Sequence, residues 1–354
     1  MKTITRGAGI IFLSLILSKI LSFVYRLFIV HFYTVDDYGL FSEGLAIITL
    51  LKTFAVLGLV TAMVRYTSFY NARKDHVGLR AVLLTSLKYT IPLSVILACV
   101  LYVSADYLEV VVFAETGLAD FLRVFALSLP FFSVSLLFAY FFMGLKLIKY
   151  NIYIQEIIPN LLKFVLVASF WFFGLGTIGI PLSWTVSFFL VILFSLVLLK
   201  RAFPSLHNID GKRSLDKTLL IFSLPVFFGD IVITLMHWTG TLALGISETA
   251  EVVGIYNAAL PTAELLLLVP VSFSALFMSV ITEYYSLKKF GEVEKINRIV
   301  NKWIFLIGLA LFLPLAIFSQ QILGALFGFD YIIGSVAMSI LAIGFIVNSL
   351  EYTS

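Results

Sequence analysis

The sequence predicts an all-α fold, a polytopic transmembrane bundle of about ten helices in two pseudo-symmetric lobes, the second of them incomplete. Three observations carry this. Hydrophobic residues make up 61% of the chain and charged residues only 12%, too few to cover a water-facing surface. The mean hydropathy is +1.08, which calls for long apolar segments rather than one buried core. Finally, the apolar runs are long enough to cross a bilayer, and short polar clusters separate them.

Taken in order, the runs lie at roughly 8–33, 40–64, 81–104, 119–143, 151–173, 177–199, 218–244, 253–281, 301–319 and 332–350. Helices suit these lengths because in hydrocarbon each backbone N–H and C=O must be satisfied within its own segment. Lys2 and Arg6 precede the first run as they would in a secretory signal. That run continues to about Tyr33, carries Lys19 and Arg26 and lacks a small-residue cleavage site, so a retained first helix is expected. The single Cys99 lies inside an apolar run, which rules out an intrachain disulfide and points to packing.

Charge is distributed by alternation. The connections at 65–80, 144–150, 200–217 and 282–302, together with the segment before the first span, hold 18 of the 24 Lys and Arg residues. The other connections hold none and carry Asp36, Asp37, Asp106, Glu109, Glu115, Glu248, Glu251 and Asp330. The positive-inside rule then predicts a cytoplasmic amino terminus in a multi-pass protein of the cell membrane. The net charge of +4 is spread over these connections rather than gathered on a soluble face, so no nucleic-acid partner is expected. The acidic connections are short and leave no room for an external domain.

Pro204, Asp210 and Gly211 mark a polar connection that divides the chain into an N-terminal six-helix lobe, 1–205, and a C-terminal lobe of about four helices, 206–354. A weak internal repeat agrees with this division. A shift of 215 places Gly39-Leu40-Phe41-Ser42 on Gly254-Ile255-Tyr256-Asn257, and Tyr70, Arg73 and Lys74 on Tyr285, Lys288 and Lys289. Gly58 and Arg65 fall instead on Phe273 and Val280. Parallel repeats related by an axis along the membrane normal place a binding site between the halves at mid-depth.

Ionisable residues inside a span cost about 2.5–3.5 kcal/mol each on insertion scales, so the retained ones are the place to look for function. They are Lys19 and Arg26, Glu43 and Lys52, Glu156 and Lys163, Asp230 and His237, and Glu264. Three of these pairs are seven residues apart, nearly two helical turns, so each shares a helix face. Lys19 and Arg26 form a cationic stripe suited to phosphate; snorkelling of Arg26 and local pairing of Lys19 is the alternative. Glu156 and Lys163 flank Pro159, which suggests either a hinge or local charge compensation. Glu43 sits near the outer end of its span, where a solvated side chain is the alternative to a functional one, and Lys52 lies about half a turn around from it, so direct pairing is not expected. Asp230 and His237 with Pro225, and Glu264 between Pro261 and Pro270, are candidates for coupling to H⁺, although a lone His is also a common packing residue. The chain has no P-loop, no Cys or His pairs at metal spacing, no G-x-S-x-G and no dinucleotide fingerprint. No cofactor, no metal and no enzymatic activity are therefore expected.

The N-terminal helix with its basic Arg26, the turn Asp37-Tyr38-Gly39, then Gly58 and Arg65, and later Val253-Gly254-Ile255-Tyr256-Asn257-Ala258, resemble one known family. It is the oligosaccharide flippases, the polysaccharide-biosynthesis transport branch of the multidrug/oligosaccharidyl-lipid/polysaccharide exporter superfamily. The resemblance implies two six-helix bundles that open alternately to either side. The expected cargo is a lipid-linked saccharide on a polyprenyl or dolichyl phosphate, with Arg26, Lys19 and Lys52 lining a cationic cavity. It also implies 12 to 14 helices where about ten are legible, so a fragment or a short variant is expected.

The leading expectation is a flippase acting as a monomer among membrane lipids, driven by substrate supply or by H⁺ or Na⁺. A multidrug or organic-cation antiporter of the same superfamily would need an anionic cavity, whereas the basic residues of the first two spans favour an anionic ligand. A membrane-embedded glycan polymerase or ligase would need external catalytic groups, commonly on a sizeable loop.

Overall fold

The computed structural model describes residues 2–203, 214–271, 281, 284–285 and 289–351. Among the described residues the chain is helical without strands, and nine helices are long and apolar enough to cross a membrane. They coincide with the second to tenth apolar runs, and α1, Lys2–Phe32, contains the first. The protein is thus a multi-pass membrane protein. Pro204, Asp210, Gly211, Phe273, Val280 and Lys288, used above for the lobe boundary and the repeat, lie outside the described residues. The chain divides into two compact units, 1–250 and 251–354.

In the first unit, α1 is followed by α2, Val35–Val56, and α3, Leu59–Ala72. Thr34 starts α2 with a capping box: its hydroxyl accepts from Asp37 N–H, and the Asp37 carboxylate accepts from Thr34 N–H. The sequence reads α2 and α3 as one span. The structure breaks them at Leu57 and Gly58, both left-handed at φ 51° and 68°, a conformation glycine adopts without a Cβ penalty.

α4, His76–Tyr107, runs into a π-helical turn, Leu108–Phe113. α5, Leu118–Gly144, lies at the centre and packs on α2, α3 and α4 and on α8, Gly179–Ala202. Composition allows this position. After Asp120 and Arg123 the helix is uncharged, and hydroxyls of Ser128 and Ser135 donate to their own backbone at Phe125 and Phe132, while the buried Ser133 hydroxyl has no hydrogen-bond partner among the described residues. Phe138, Phe141, Phe142, Leu137 and Ala139 fill a core shared with Met63, Leu79 and Val191.

The fifth apolar run is not one regular helix. α6, Ile148–Ile152, passes through a π turn, Tyr153–Ile157, into α7, Ile158–Phe172. Pro159 stands in the first turn of α7, where its missing N–H costs least. The wider π turn lies just ahead of it and contains Glu156. α9, Asp216–Ser247, packs on α2 and α3.

The second unit contains α10, Ala250–Ala263, from Glu251 onward, a 3₁₀ turn at Glu264–Leu267, α11, Phe290–Ile317, α12, Ser319–Phe327, and α13, Ser335–Glu351. α11 packs on α13, and α13 on the 3₁₀ turn. Phe327 and Tyr331 meet with ring centroids 5.8 Å apart, and Ile255 closes on Gly334.

Candidate functional site

The buried face of α1 carries Ser18, Tyr25 and Ile29. It meets α7 and the π turn, and a polar chain joins them. Lys163 Nζ donates to Asn160 Oδ1 at 3.4 Å, Asn160 Nδ2 donates to Ser18 Oγ at 3.1 Å, and Ser18 Oγ donates to Glu156 Oε2 at 2.5 Å. The charges of Glu156 and Lys163 are therefore compensated locally, through two neutral side chains. The Lys163 ammonium also lies 3.6 Å from the Trp184 ring centroid and 5.1 Å from that of Phe188, cation–π contacts that substitute for lost hydration.

Arg26 is half-buried beside this chain and hydrogen-bonds the Tyr38 hydroxyl. Its charge is felt at Lys163, so two cations share the helix interior formed by α1, α2, α7 and α8. No salt bridge to Arg26 occurs among the described residues. Lys19 is exposed. The expected stripe of Lys19 and Arg26 therefore contributes one residue to this interior: both stand about 100° around from the inward face set by Ser18 and Tyr25, and of the two only Arg26 is half-buried.

A second polar contact lies between α2 and α9. Lys52 is half-buried, its ammonium 5.1 Å from the Phe132 centroid, and it attracts Asp230. Thr53 and Thr234 pair their hydroxyls across the same seam at 3.1 Å. Glu43 faces the α9 backbone at Gly245 and does not pair with Lys52. His237 is exposed on α9 with its ring edge-on to Trp238, 5.1 Å away. In the second unit, Glu264 lies in the 3₁₀ turn and acts electrostatically on Tyr256, while Gly254 is buried.

The motif glycines have steric reasons. A Cβ on Gly39 would overlap the carbonyl of Ala250, and one on Gly58 would overlap the carbonyl of Ser223 and lie 2.8 Å from Phe227 N. Gly58 thus lets α9 approach α2–α3 backbone to backbone, and Gly39 does the same for Ala250 beyond the end of α9. Asp37 serves the helix cap and Tyr38 is 1% exposed. Arg65 stacks 4.5 Å from the Phe222 centroid beside a groove of about 600 Å³ lined by Tyr66, Lys217, Thr218, Phe222 and Pro225.

Sequence reasoning missed Ser18, Asn160, Trp184, Thr53, Thr234 and Gly245. Searching for ionisable groups passes over neutral side chains, yet Asn160 beside Pro159 and the adjacent Ser18-Lys19 were polar signals inside apolar runs. Among the described residues no group of three or more His, Cys, Asp or Glu gathers to hold a metal.

This bundle is similar to solved transporters. The MATE multidrug transporter DinF-BH, in complex with R6G, superposes with a TM-score of 0.64 at 16% identity, over 98% of this chain and 82% of that one. An inward-facing multidrug resistance MATE family transporter of the MOP superfamily gives 0.64 at 16%, over 97% and 84%. The eukaryotic MATE transporter AtDTX14 gives 0.61 at 16%, over 98% and 79%. At these identities the likeness concerns the fold. No curated protein matches the chain. The family described as "Polysaccharide biosynthesis protein" matches residues 4–282, most of the chain. That match makes the chain a member of the polysaccharide biosynthesis protein family, a multi-pass membrane protein whose fold is similar to that of MATE transporters.

Proposed function

We propose that the protein is a flippase that carries a lipid-linked oligosaccharide or polysaccharide precursor across the cytoplasmic membrane by alternating access. The observation that carries this reading is Arg26. Its hydrogen-bond partner is the neutral phenol of Tyr38, and no carboxylate within salt-bridge distance cancels its charge among the described residues. With Lys163 nearby, the interior favours an anion, and a guanidinium offers the planar fork that phosphate accepts. A phosphate on a polyprenyl or dolichyl carrier supplies that anion while its tail stays in hydrocarbon. Lys52 and Lys19 are assigned to the path of the same head group. Coupling to H⁺ or Na⁺ is assigned to the carboxylates Glu43, Glu156, Asp230 and Glu264, with Lys163 and His237 as further titratable groups.

In this reading the protein works as a monomer with its amino terminus in the cytoplasm. Single-cysteine labelling tests the orientation: Cys at Asp36 is expected to react from outside the cell and Cys at Lys146 only after permeabilisation. The reverse pattern overturns it.

The direct experiment is leaflet transfer of lipid-linked saccharides in reconstituted vesicles. Arg26→Ala is expected to abolish transfer with insertion intact, and Arg26→Lys to retain part of it; undiminished transfer by Arg26→Ala removes this residue from the site. The multidrug reading, favoured by fold neighbours that are multidrug transporters, is tested in the same vesicles by counter-transport of an organic cation. Cation exchange without saccharide transfer decides for it.

A further inference from the structure

Glu43 is 0% exposed, and neither oxygen of its carboxyl group has a hydrogen-bond partner among the described residues. It lies where α2 meets the end of α9 and the π turn at 108–113. A Cβ on Gly245 would stand 3.0 Å from Glu43 Oε1 and 3.1 Å from the Phe113 ring, so a larger residue there would crowd both side chains. One turn earlier, Gly39 admits the backbone of Ala250, whose N–H donates to Glu115 Oε1 at 2.7 Å. One residue later, a Cβ on Gly44 would stand 2.7 Å from the Phe125 ring. The carboxyl group is thus enclosed by backbone and aromatic surface from three elements.

The charged groups around this seam do not neutralise it. On α2, Asp37 is occupied by Thr34. Between α4 and α5, Glu109 accepts from the N–H groups of Gly117 and Ala119, at 3.1 and 2.6 Å, and Glu115 from that of Ala250. On α5, Arg123 is held by Asp106 at 2.6 Å and lies 3.6 Å from Asp120. On α9, His237 is eight residues before Gly245, and Glu248 follows the last turn. The charge that acts on Glu43 is the like charge of Glu115. An ionised carboxylate sealed without donors costs several kcal/mol, far more than the neutral acid.

We infer that Glu43 is a proton-binding site that locks the α2–α9 seam: protonated, it lets α2 close on α9 at Gly245 and on Ala250 at Gly39, and ionised, it draws in water and parts them. The closed seam holds the proton, so closure is favoured at low pH and lost as pH rises. This rests on the transport reading only in making the parting of the seam a step of the cycle.

The test places spin labels on cysteines at Asp36 and Ser247, both exposed, in a Cys99→Ala background in lipid nanodiscs without substrate. Pulsed dipolar distances are expected to shift from short to long as pH rises. The long-to-short ratio should change about tenfold per pH unit, as release of one proton requires. Glu43→Gln, which carries no titratable proton, is expected to stay short at every pH. A wild-type distance that ignores pH, or a Glu43→Gln variant that follows pH like the wild type, overturns the inference. Should Glu43→Gln fail to fold, pH-difference infrared spectra of the Cys99→Ala protein decide. Loss of a protonated-carboxyl band is expected in the pH range of the distance change, and no such band refutes the site. Because no substrate is present, a pH response alongside failed saccharide transfer would overturn the flippase reading and leave this site standing.

Discussion

Ser18 on α1 donates a 2.5 Å hydrogen bond to Glu156 in the π turn before α7, across 138 residues of sequence. The same hydroxyl accepts from Asn160, which in turn accepts from Lys163, so one serine ties an acid to a base without an ion pair. Ser18→Ala leaves both Glu156 and Asn160 short of a partner. We expect a loss of about 1–3 kcal/mol in stability, read as a lower melting temperature in detergent, and smaller losses in Ser18→Thr. Equal melting of Ser18→Ala and wild type would show that water replaces the hydroxyl.

Lys52 and Asp230 attract each other across the α2–α9 seam. A double-mutant cycle of Lys52→Met and Asp230→Asn, followed by melting and by leaflet transfer, is expected to give a coupling energy of about 0.5–3 kcal/mol. Additive effects would mean that the two groups act independently.

Gly58 serves two demands at once, a left-handed backbone at φ 68° and close approach of α9 at Ser223. Gly58→Ala is expected to cost about 1 kcal/mol for the backbone alone, with the overlap at α9 adding to it. Gly174 is also left-handed, at φ 73°, but has open space around it. Gly174→Ala should therefore show the backbone cost alone, and thermal unfolding of the two variants separates the contributions.

The Thr34–Asp37 capping box begins the helix that carries Tyr38, Glu43 and Lys52. Thr34→Ala is expected to cost about 0.5–2 kcal/mol. By contrast, Asp106→Asn removes a solvent-facing partner of Arg123, with Asp106 68% exposed, and should cost no more than about 1 kcal/mol despite the 2.6 Å contact. Chemical unfolding that ranks these two in the opposite order would contradict the assignment of burial.

Much of the fold was legible because hydropathy over twenty residues is a bulk property of a segment. The runs at 81–104 and 119–143 lie within α4 and α5, and Gly39 and Gly58 stand where their motif suggested a constraint. The break at Leu57–Gly58 and the π turn around Glu156 were not legible. An apolar run reads the same whether its turns are α or π, since winding depends on what packs beside it.

The sequence by itself determined that this chain spans a membrane, which residues place charge inside it, and that Glu43 and Lys52 point to different sides of one helix. Only the tertiary structure decided that Ser18 meets Glu156, that Lys163 sits on Trp184, that Lys52 faces Asp230 and that Glu43 is sealed beside Gly245. The reason is physical. In hydrocarbon, lipid-facing and protein-facing sides of a helix are both apolar, so periodicity that would orient a helix in water is nearly silent. Partners are chosen instead by close packing at small residues and by hydrogen bonds between segments far apart in the chain.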